Sequence, residues 1–356
     1  MFTFGFEEAP PAPDQPVAPT GDAPVRRARE HAPSELRADA AQWPVERVEV
    51  EDGEMDDHHV TVLLKSTPPE ASVPELLCEE LAGDDHARDS GGAASGAEGA
   101  ATSLAGSDLV PAVYEGGFKV WECAHDLMAT LFQLHVSGEI RIDGRAVLEA
   151  GCGAGMPAVL CMRLGAARAV LQDYNAAVLT ALTMQTVKLN QLWTLAQCGR
   201  IRFISGDWES VSELLLSERE KGAGKEGASE GAASDGGCGG SILCGGGRAS
   251  PPRGYDIILT ADTIYSPAAS RRLWELIRAQ LAKGGVAYVA AKSYYFGVGG
   301  SVSQFKEMVA ADRRFGMKTV RVFDDGASNR REVFSIYRYR STLVAAQQAL
   351  AARGPV

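Results

Sequence analysis

The 356-residue sequence lacks the features that define several classes of protein. No apolar run is long enough to span a bilayer, and the opening stretch MFTFGFEEAPPAPDQP has neither the basic segment nor the apolar core of a secretory signal. The seven cysteines are odd in number and scattered, which argues against a disulfide framework, and the six histidines lack the spacing of metal ligands. We therefore expect a protein of the cytoplasm and nucleus without a membrane anchor or a bound metal.

Charge is distributed unevenly along the chain. Residues 1–106 carry 22 Asp or Glu and 7 Lys or Arg, whereas the other 250 residues carry 24 and 28. The first region is also rich in Pro, Ala and Gly, so it buries too little apolar surface to offset the entropy lost on folding. We expect it to be largely disordered, with a strand pair in VERVEVEDGEMDDHHVTVLLKST and helical spacing in VPELLCEELAG as the exceptions. The acidic residues of this region form either a solvating tail or a surface for a basic protein partner.

From residue 107 onward, short apolar strands alternate with helices. The strand segments are RAVLEAG, ARAVLQD, RIRFISGD, YDIILTAD, GVAYVAAK, MKTVRVFDD and REVFSIYRY. This alternation predicts an α/β fold with an open, mostly parallel sheet that helices cover on both faces. The last two strands should form an antiparallel hairpin because no helix separates them. A Gly/Ser-rich tract at about 222–254 is typical of a flexible insertion, and residues 341–356 form a tail.

The segment VLEAGCGAGMPAVL places three glycines between a strand and a helix. Backbone amides in such a loop can approach a ligand closely because no Cβ stands in the way. A dinucleotide fingerprint would need its third glycine where Met156 stands. The loop instead fits E-x-G-x-G-x-G, at Glu149, Gly151, Gly153 and Gly155. Asp173, at the end of the next strand, is placed to accept both hydroxyls of a ribose, so we predict a nucleoside cofactor.

Strand, glycine loop and acid in this order resemble the S-adenosylmethionine site of methyltransferases with a Rossmann-like sheet of seven β-strands. Longer segments are more specific: YEGGFKVWEC, LQDYNAAVL, FISGDWES, ADTIY and YFGVGG, with FTFGF at the start, resemble the protein-histidine N-methyltransferase family. The resemblance covers nearly all of Ser107–Tyr339 and implies a methyltransferase domain over residues 107–340. It also implies methyl transfer from S-adenosylmethionine to a histidine nitrogen of a basic large-subunit ribosomal protein.

Residue by residue, the resemblance implies a cofactor site drawn from several segments. Gly151 would approach the methionine part, Asp173 the ribose, and Asp207 and Trp208 the adenine, while Glu149 would bind the ammonium directly or through water. The full set is Val120, Trp121, Glu122, Cys123, Ala124, Glu149, Gly151, Gly153, Gly155, Gln172, Asp173, Tyr174, Gly206, Asp207, Trp208, Thr260 and Ala261.

Other segments of the sequence bear on which residue accepts the methyl group. A neutral imidazole has one bare nitrogen near pH 7, whereas a lysine must first lose a proton. We hypothesise that Asp262 or Tyr265, in ADTIY, orients the acceptor, and that YFGVGG forms a lip facing the substrate. The D-x-x-Y form also resembles protein-lysine methyltransferases, and the histidine family often has Glu where Asp262 stands. Lysine methylation and a non-catalytic role in ribosome assembly stay open. We expect a monomer, and no motif indicates nucleic-acid binding.

Overall fold

A computed structural model describes residues 26–51, 59–65, 76–77, 80, 113–226, 254–324, 326 and 329–339. FTFGF, most of the predicted Gly/Ser-rich insertion and the predicted tail lie outside the described residues. So does most of the predicted helix VPELLCEELAG, although residues 76–77 and 80 are helical. Within the described ranges, no helix combines the length and apolar character needed to cross a membrane.

The described residues form ten β-strands, eight of which make one sheet. The strands are β1 (Arg29–His31), β2 (Val45–Glu51), β3 (His59–Lys65), β4 (Ala146–Ala150), β5 (Arg168–Asp173), β6 (Ile201–Ser205), β7 (Tyr255–Ala261), β8 (Leu281–Lys292), β9 (Phe315–Phe323) and β10 (Arg331–Arg338). Their order in the sheet is β1-β6-β5-β4-β7-β8-β10-β9, and β2 pairs with β3 in a separate hairpin. The strands from β4 to β8 run parallel, whereas β1 and β10 are antiparallel to their neighbours.

The strand order reverses at β4, because β5 and β6 lie on one side of it and β7 and β8 on the other. Open α/β sheets bind their ligands at the carboxyl ends of the strands beside such a reversal. Without β1, the sheet has the predicted seven strands, and β9 and β10 form the predicted antiparallel hairpin. The predicted fold, an α/β Rossmann-like methyltransferase sheet, is therefore confirmed.

Helices connect the strands of the sheet. The described helices are α1 (Glu122–Val136), α2 (Met156–Arg163), α3 (Ala176–Val178), α4 (Met184–Leu189), α5 (Trp193–Gln197), α6 (Trp208–Glu226), α7 (Pro267–Gln280) and α8 (Val302–Ala311). A π-helical turn, Leu179–Thr183, joins α3 to α4. In that turn the Thr183 hydroxyl donates to the Gly153 carbonyl at 2.6 Å, so the irregular turn contacts the glycine loop. Single π turns are frequent at functional sites.

Apolar side chains fill both faces of the sheet. Val147 and Leu148 are adjacent in β4 and fully buried, yet they belong to different apolar clusters. Successive side chains of a strand point to opposite faces, so each cluster packs against one face. This burial on both sides explains why the central strands read as continuous apolar runs.

Part of the acidic N-terminal region belongs to the fold. The predicted strand pair is confirmed as β2 and β3, which pair from Val45–Lys65 to Glu51–His59. β1, which the sequence did not predict, extends the main sheet by pairing with β6. Three residues, Arg-Glu-His, are too few and too polar to give a strand pattern. The domain boundary predicted at residues 106 and 107 stays a prediction, and the sheet includes a strand from before it.

The side chain of Asn190 fastens the β2–β3 hairpin to the end of α4. Its amide oxygen accepts from the Leu63 N–H at 3.1 Å, and its amide nitrogen donates to the Leu63 carbonyl at 2.6 Å. Asn190 is buried, so removing it leaves two backbone groups without a partner.

We expect Asn190→Ala to lower the free energy of unfolding by about 1–3 kcal/mol because of the unsatisfied groups at Leu63. Urea denaturation measures this change, and hydrogen exchange should show faster exchange in β3. Lys188→Ala, an exposed position on the same helix, is the control and should change stability by less than about 0.5 kcal/mol. Equal stability of the two variants would contradict the docking of the hairpin through Asn190.

Candidate active site

A pocket lies at the carboxyl ends of β4, β5, β6 and β7, beside the reversal in strand order. It encloses about 850 Å³, a volume that includes space open to solvent. The structure brings together in its wall most of the predicted residues: Val120, Trp121, Ala124, Glu149, Gly151, Gly153, Gly155, Asp173, Tyr174, Gly206, Asp207, Trp208, Ala261, Asp262 and Tyr265.

The glycine loop packs against a second pair of glycines that precedes α1. Gly153 has a φ of +49°, and a Cβ there would lie 3.0 Å from the carbonyl oxygen of Gly117. Gly117 in turn lies against Asp173, since a Cβ on it would come within 3.0 Å of both carboxylate oxygens. Any side chain at these positions would separate the three segments, so the pocket floor requires glycine at both.

Asp173 ties the end of β5 to the glycine loop. One carboxylate oxygen accepts from the Gly153 N–H at 2.9 Å and the other from the Asn175 N–H at 3.1 Å. Burial raises the pKa of this carboxyl to about 6, with the charges of Glu80 and Glu115 adding to the rise and the two backbone hydrogen bonds opposing it. A carboxylate oxygen has two lone pairs, so each can still accept a ligand hydroxyl.

Glu149, a residue of β4, lies beneath the glycine loop and contacts the start of α2. Its carboxylate accepts from the Ala158 N–H at 2.7 Å. Because the side chain is almost completely shielded from water, burial raises its pKa to about 8. Its first role in the structure is therefore to hold α2 against β4, and its place in the pocket wall leaves it available to a cationic ligand.

Gln172 connects three parts of the wall from behind. Its side-chain oxygen accepts from the Gly151 N–H at 3.1 Å and from the Trp208 indole N–H at 2.7 Å. Its side-chain nitrogen donates to the Gly206 carbonyl at 2.9 Å. One buried amide thus fixes the glycine loop relative to the aromatic ring that follows β6.

Four predicted cofactor residues are not in the pocket wall that the described residues form. Gln172 and Thr260 are fully buried, and the Thr260 hydroxyl donates to the Ala150 carbonyl at 2.9 Å. Cys123 is buried at the start of α1, and burial raises the pKa of its thiol. The Glu122 carboxylate faces outward, 3.2 Å from the Lys292 ammonium. Direct cofactor contact for these four residues stays a prediction.

Asp262 joins β7 to two other segments of the site. One carboxylate oxygen accepts from the Cys123 N–H at 3.2 Å, in the first turn of α1, and the other from the Tyr295 hydroxyl at 2.8 Å. Its φ of +55° is uncommon for a residue with a side chain. Burial raises the pKa of this carboxyl. Tyr265, further along the same turn, donates its hydroxyl to the carboxylate of Glu115.

The wall also contains residues that were not predicted from the sequence. They are Glu115, Gly116, Gly117, Lys119, Cys152, Ala154, Met156, Pro157, Thr263 and Arg272. All except Arg272 fall within YEGGFKVWEC, VLEAGCGAGMPAVL or ADTIY, so taking every residue of these segments as a candidate would have found them. Arg272 comes from α7 and lies 3.4 Å from the Asp207 carboxylate. No local pattern distinguishes it from its neighbour Arg271.

The sheet order, with a glycine loop after β4 and an acid at the end of β5, defines the fold class, which is the Rossmann-like sheet of the seven-stranded methyltransferases. Within this class, the chain is similar to proteins named histidine protein methyltransferase 1 or its homologues. The relative from Dictyostelium discoideum is 37% identical over 230 residues, which is 65% of this chain and 60% of the relative.

Two further relatives carry the same name. The Bos taurus protein is 31% identical over 239 residues, covering 62% of this chain and 55% of the relative. The Saccharomyces cerevisiae protein is 32% identical over 227 residues, covering 56% of this chain and 58% of the relative. No protein-family model matches the chain. The alignments thus span between half and two thirds of the relatives' length, and the resemblance stated from the motifs is confirmed.

The buried carboxyl of Glu149 should make stability fall with pH. Its folded pKa of about 8 is higher than its ordinary value of 4.5, so its contribution is full below pH 4.5 and is lost as the pH rises toward 8. We expect the ligand-free protein to lose a few kcal/mol of stability between pH 5 and pH 8 through this group.

Glu149→Gln tests this by removing the charge while retaining an acceptor for the Ala158 N–H. Its free energy of unfolding, measured in urea at pH 5 and pH 8, should vary less with pH than that of the wild type. Glu220→Gln, at an exposed position of α6, is the matched control and should keep the wild-type dependence. An unchanged pH dependence in Glu149→Gln would show that the carboxyl titrates normally.

Proposed function

We propose that this protein is an S-adenosylmethionine-dependent protein-histidine N-methyltransferase. The observation that carries the proposal is a single pocket formed by the glycine loop, Asp173 and the YEGGFKVWEC segment, in a chain whose curated relatives are named for histidine methylation. The relatives' name supports a protein as the substrate.

The pocket residues suit the parts of this cofactor. The Asp173 oxygens would accept the ribose hydroxyls, and Trp208, held by Gln172, would cover the adenine. Asp207 would reach the adenine amino group, and the glycine loop would approach the methionine part. The cofactor supplies an electrophilic methyl group on a sulfonium, so the protein has to place the acceptor nitrogen in line with it.

The acceptor side of the pocket is best assigned to Tyr265 and Glu115. A histidine needs one bare nitrogen toward the methyl group, and a group that accepts the N–H of the other nitrogen selects that tautomer. The Asp262 carboxylate joins two segments, since it accepts from the Cys123 N–H and from the Tyr295 hydroxyl, and this favours a bracing role for Asp262. The Tyr265–Glu115 pair lies in the wall and can supply the oxygen that accepts the N–H of the substrate imidazole.

The substrate lip is assigned to YFGVGG. Phe296, in this segment, is 81% exposed, and Tyr294, just before the segment, is 44% exposed, with the two rings 5.1 Å apart. The segment is held close to the pocket, because the Gly300 N–H donates to the Tyr265 carbonyl at 2.9 Å and the Tyr295 hydroxyl donates to Asp262. Exposed aromatic side chains on a braced backbone are typical of protein-binding surfaces.

For the substrate itself, we propose a basic large-subunit ribosomal protein, met in the cytoplasm or nucleus. The resemblance of the motifs supports this choice, and the excess of acidic residues in 1–106 suits a basic partner.

Incubation with methyl-labelled S-adenosylmethionine and large-subunit ribosomal proteins tests the proposal, with mass spectrometry to locate the label. We expect methylhistidine, and we expect Asp173→Asn to weaken cofactor binding by about tenfold or more because a charged acceptor is lost. Asp324→Asn, an exposed acid outside the pocket, is the control. Label on lysine alone would indicate the related lysine enzymes, and cofactor binding without transfer to any of these proteins would indicate a binding role in assembly.

Truncating the lip should separate binding of the protein substrate from binding of the cofactor. We expect Phe296→Ala to lower kcat/KM for the protein substrate by about tenfold, because an exposed aromatic anchor is removed, and to leave the cofactor Kd unchanged. Val45→Ala, an exposed apolar position on β2, is the control for loss of apolar surface. Equal kcat/KM for Phe296→Ala and the wild type would exclude the lip from substrate binding.

A further inference from the structure

A short stretch of the N-terminal region, residues 26–31, lies against the side of the pocket that follows β6. We call it the N-terminal arm. The Arg26 carbonyl accepts from the Asp207 N–H at 2.9 Å, and the Ala28 N–H donates to the Ser210 hydroxyl at 2.7 Å. A Cβ on Gly206 would lie 2.8 Å from the Ala28 Cα, so the arm and the strand end are in close contact.

The Arg26 side chain reaches from the arm to Tyr174. Its guanidinium carbon lies 4.6 Å from the centre of the Tyr174 ring. A cation over an aromatic face attracts it electrostatically, and more strongly where water is excluded. Tyr174 is part of the pocket wall, whereas Arg26 is not. Arg26 therefore contacts a wall residue without lining the pocket itself.

Glu80, which also belongs to the N-terminal region, holds the Arg26 guanidinium in place. Glu80 forms an ion pair with Arg26, and both side chains are only 12% exposed. The Glu80 carboxylate also accepts from the Ala176 and Ala177 N–H groups, each at 3.1 Å. These two residues begin α3, directly after the segment that carries Asp173 and Tyr174. Arg26 and Glu80 thus fasten the arm to the chain on the ribose side of the pocket.

We propose that Arg26 is a positioning residue for the cofactor: it fixes the Tyr174 ring from outside the pocket, so that the N-terminal arm completes the wall between the β5 and β6 ends. The ligand concerned is a nucleoside, with Tyr174 as the surface it contacts. The inference rests on the proposed function, since it assumes that S-adenosylmethionine binds in this pocket.

Calorimetric titration with S-adenosylmethionine tests the inference in the full-length protein. We expect Arg26→Met, which retains side-chain length but removes the charge, to raise the cofactor Kd by about tenfold. Arg26→Lys retains the cation and should recover part of the affinity. Arg29→Met is the matched control, because Arg29 lies on the same arm but pairs with Glu35 at the surface and is 66% exposed. It should bind like the wild type.

Two further readouts distinguish positioning from a loss of fold. In steady-state assays, Arg26→Met should raise KM for the cofactor and keep kcat at saturating cofactor. In a double-mutant cycle with Tyr174→Leu, Arg26→Met should have little further effect, because the ring that Arg26 fixes is gone. Wild-type affinity in folded Arg26→Met and Arg26→Lys, or full additivity with Tyr174→Leu, would overturn the inference alone. Absence of cofactor binding by the wild type would overturn the proposed function and this inference with it.

Discussion

The pocket depends on a buried polar junction at the end of β5. Gln172 and Asp173 together hold the N–H groups of Gly151 and Gly153 and the indole of Trp208. Loop amides that point into an apolar core are costly unless they are paired, and here two adjacent side chains of one strand pair them. The strand is fixed by the sheet, so the loop shape follows from the position of β5. The glycine loop is in this sense an extension of the sheet.

A similar junction closes the other side of the site. The Asp262 carboxylate accepts one hydrogen bond from an N–H in the first turn of α1 and one from the Tyr295 hydroxyl. The start of α1, the end of β7 and the YFGVGG segment therefore meet at this carboxylate. Its positive φ shows that the backbone turns sharply to bring the side chain there. Unfavourable backbone conformations persist where the surroundings over-determine them. This explains how one acid of the pocket wall can hold together the segments that give the pocket its shape.

How far the sequence predicts this site depends on whether the signal is local. Glycines at Gly151 and Gly153 and an acid at Asp173 leave a pattern because each is required by the loop and the strand that carry it. β1 leaves none, since three polar residues become a strand only through the exposed edge of β6. Arg26 and Glu80 meet across 54 positions of sequence, and Arg26 contacts Tyr174 from outside the pocket. The composition of residues 1–106 describes their average character and cannot reveal which few of them bind the sheet.

The electrostatics of the wall agree with the kind of ligand the loop geometry suits. Burial raises the pKa values of Glu149, Asp173 and Asp262, which means that each carboxylate is poorly compensated in the described part of the protein. A carboxylate that is unfavourable alone becomes favourable when a cation approaches it, because the attraction is strong where water is excluded. S-adenosylmethionine carries positive charge at its sulfonium and its ammonium, whereas a dinucleotide brings a pyrophosphate. Acids in the pocket wall suit the cationic ligand, and Met156 in the glycine loop argues independently against the dinucleotide.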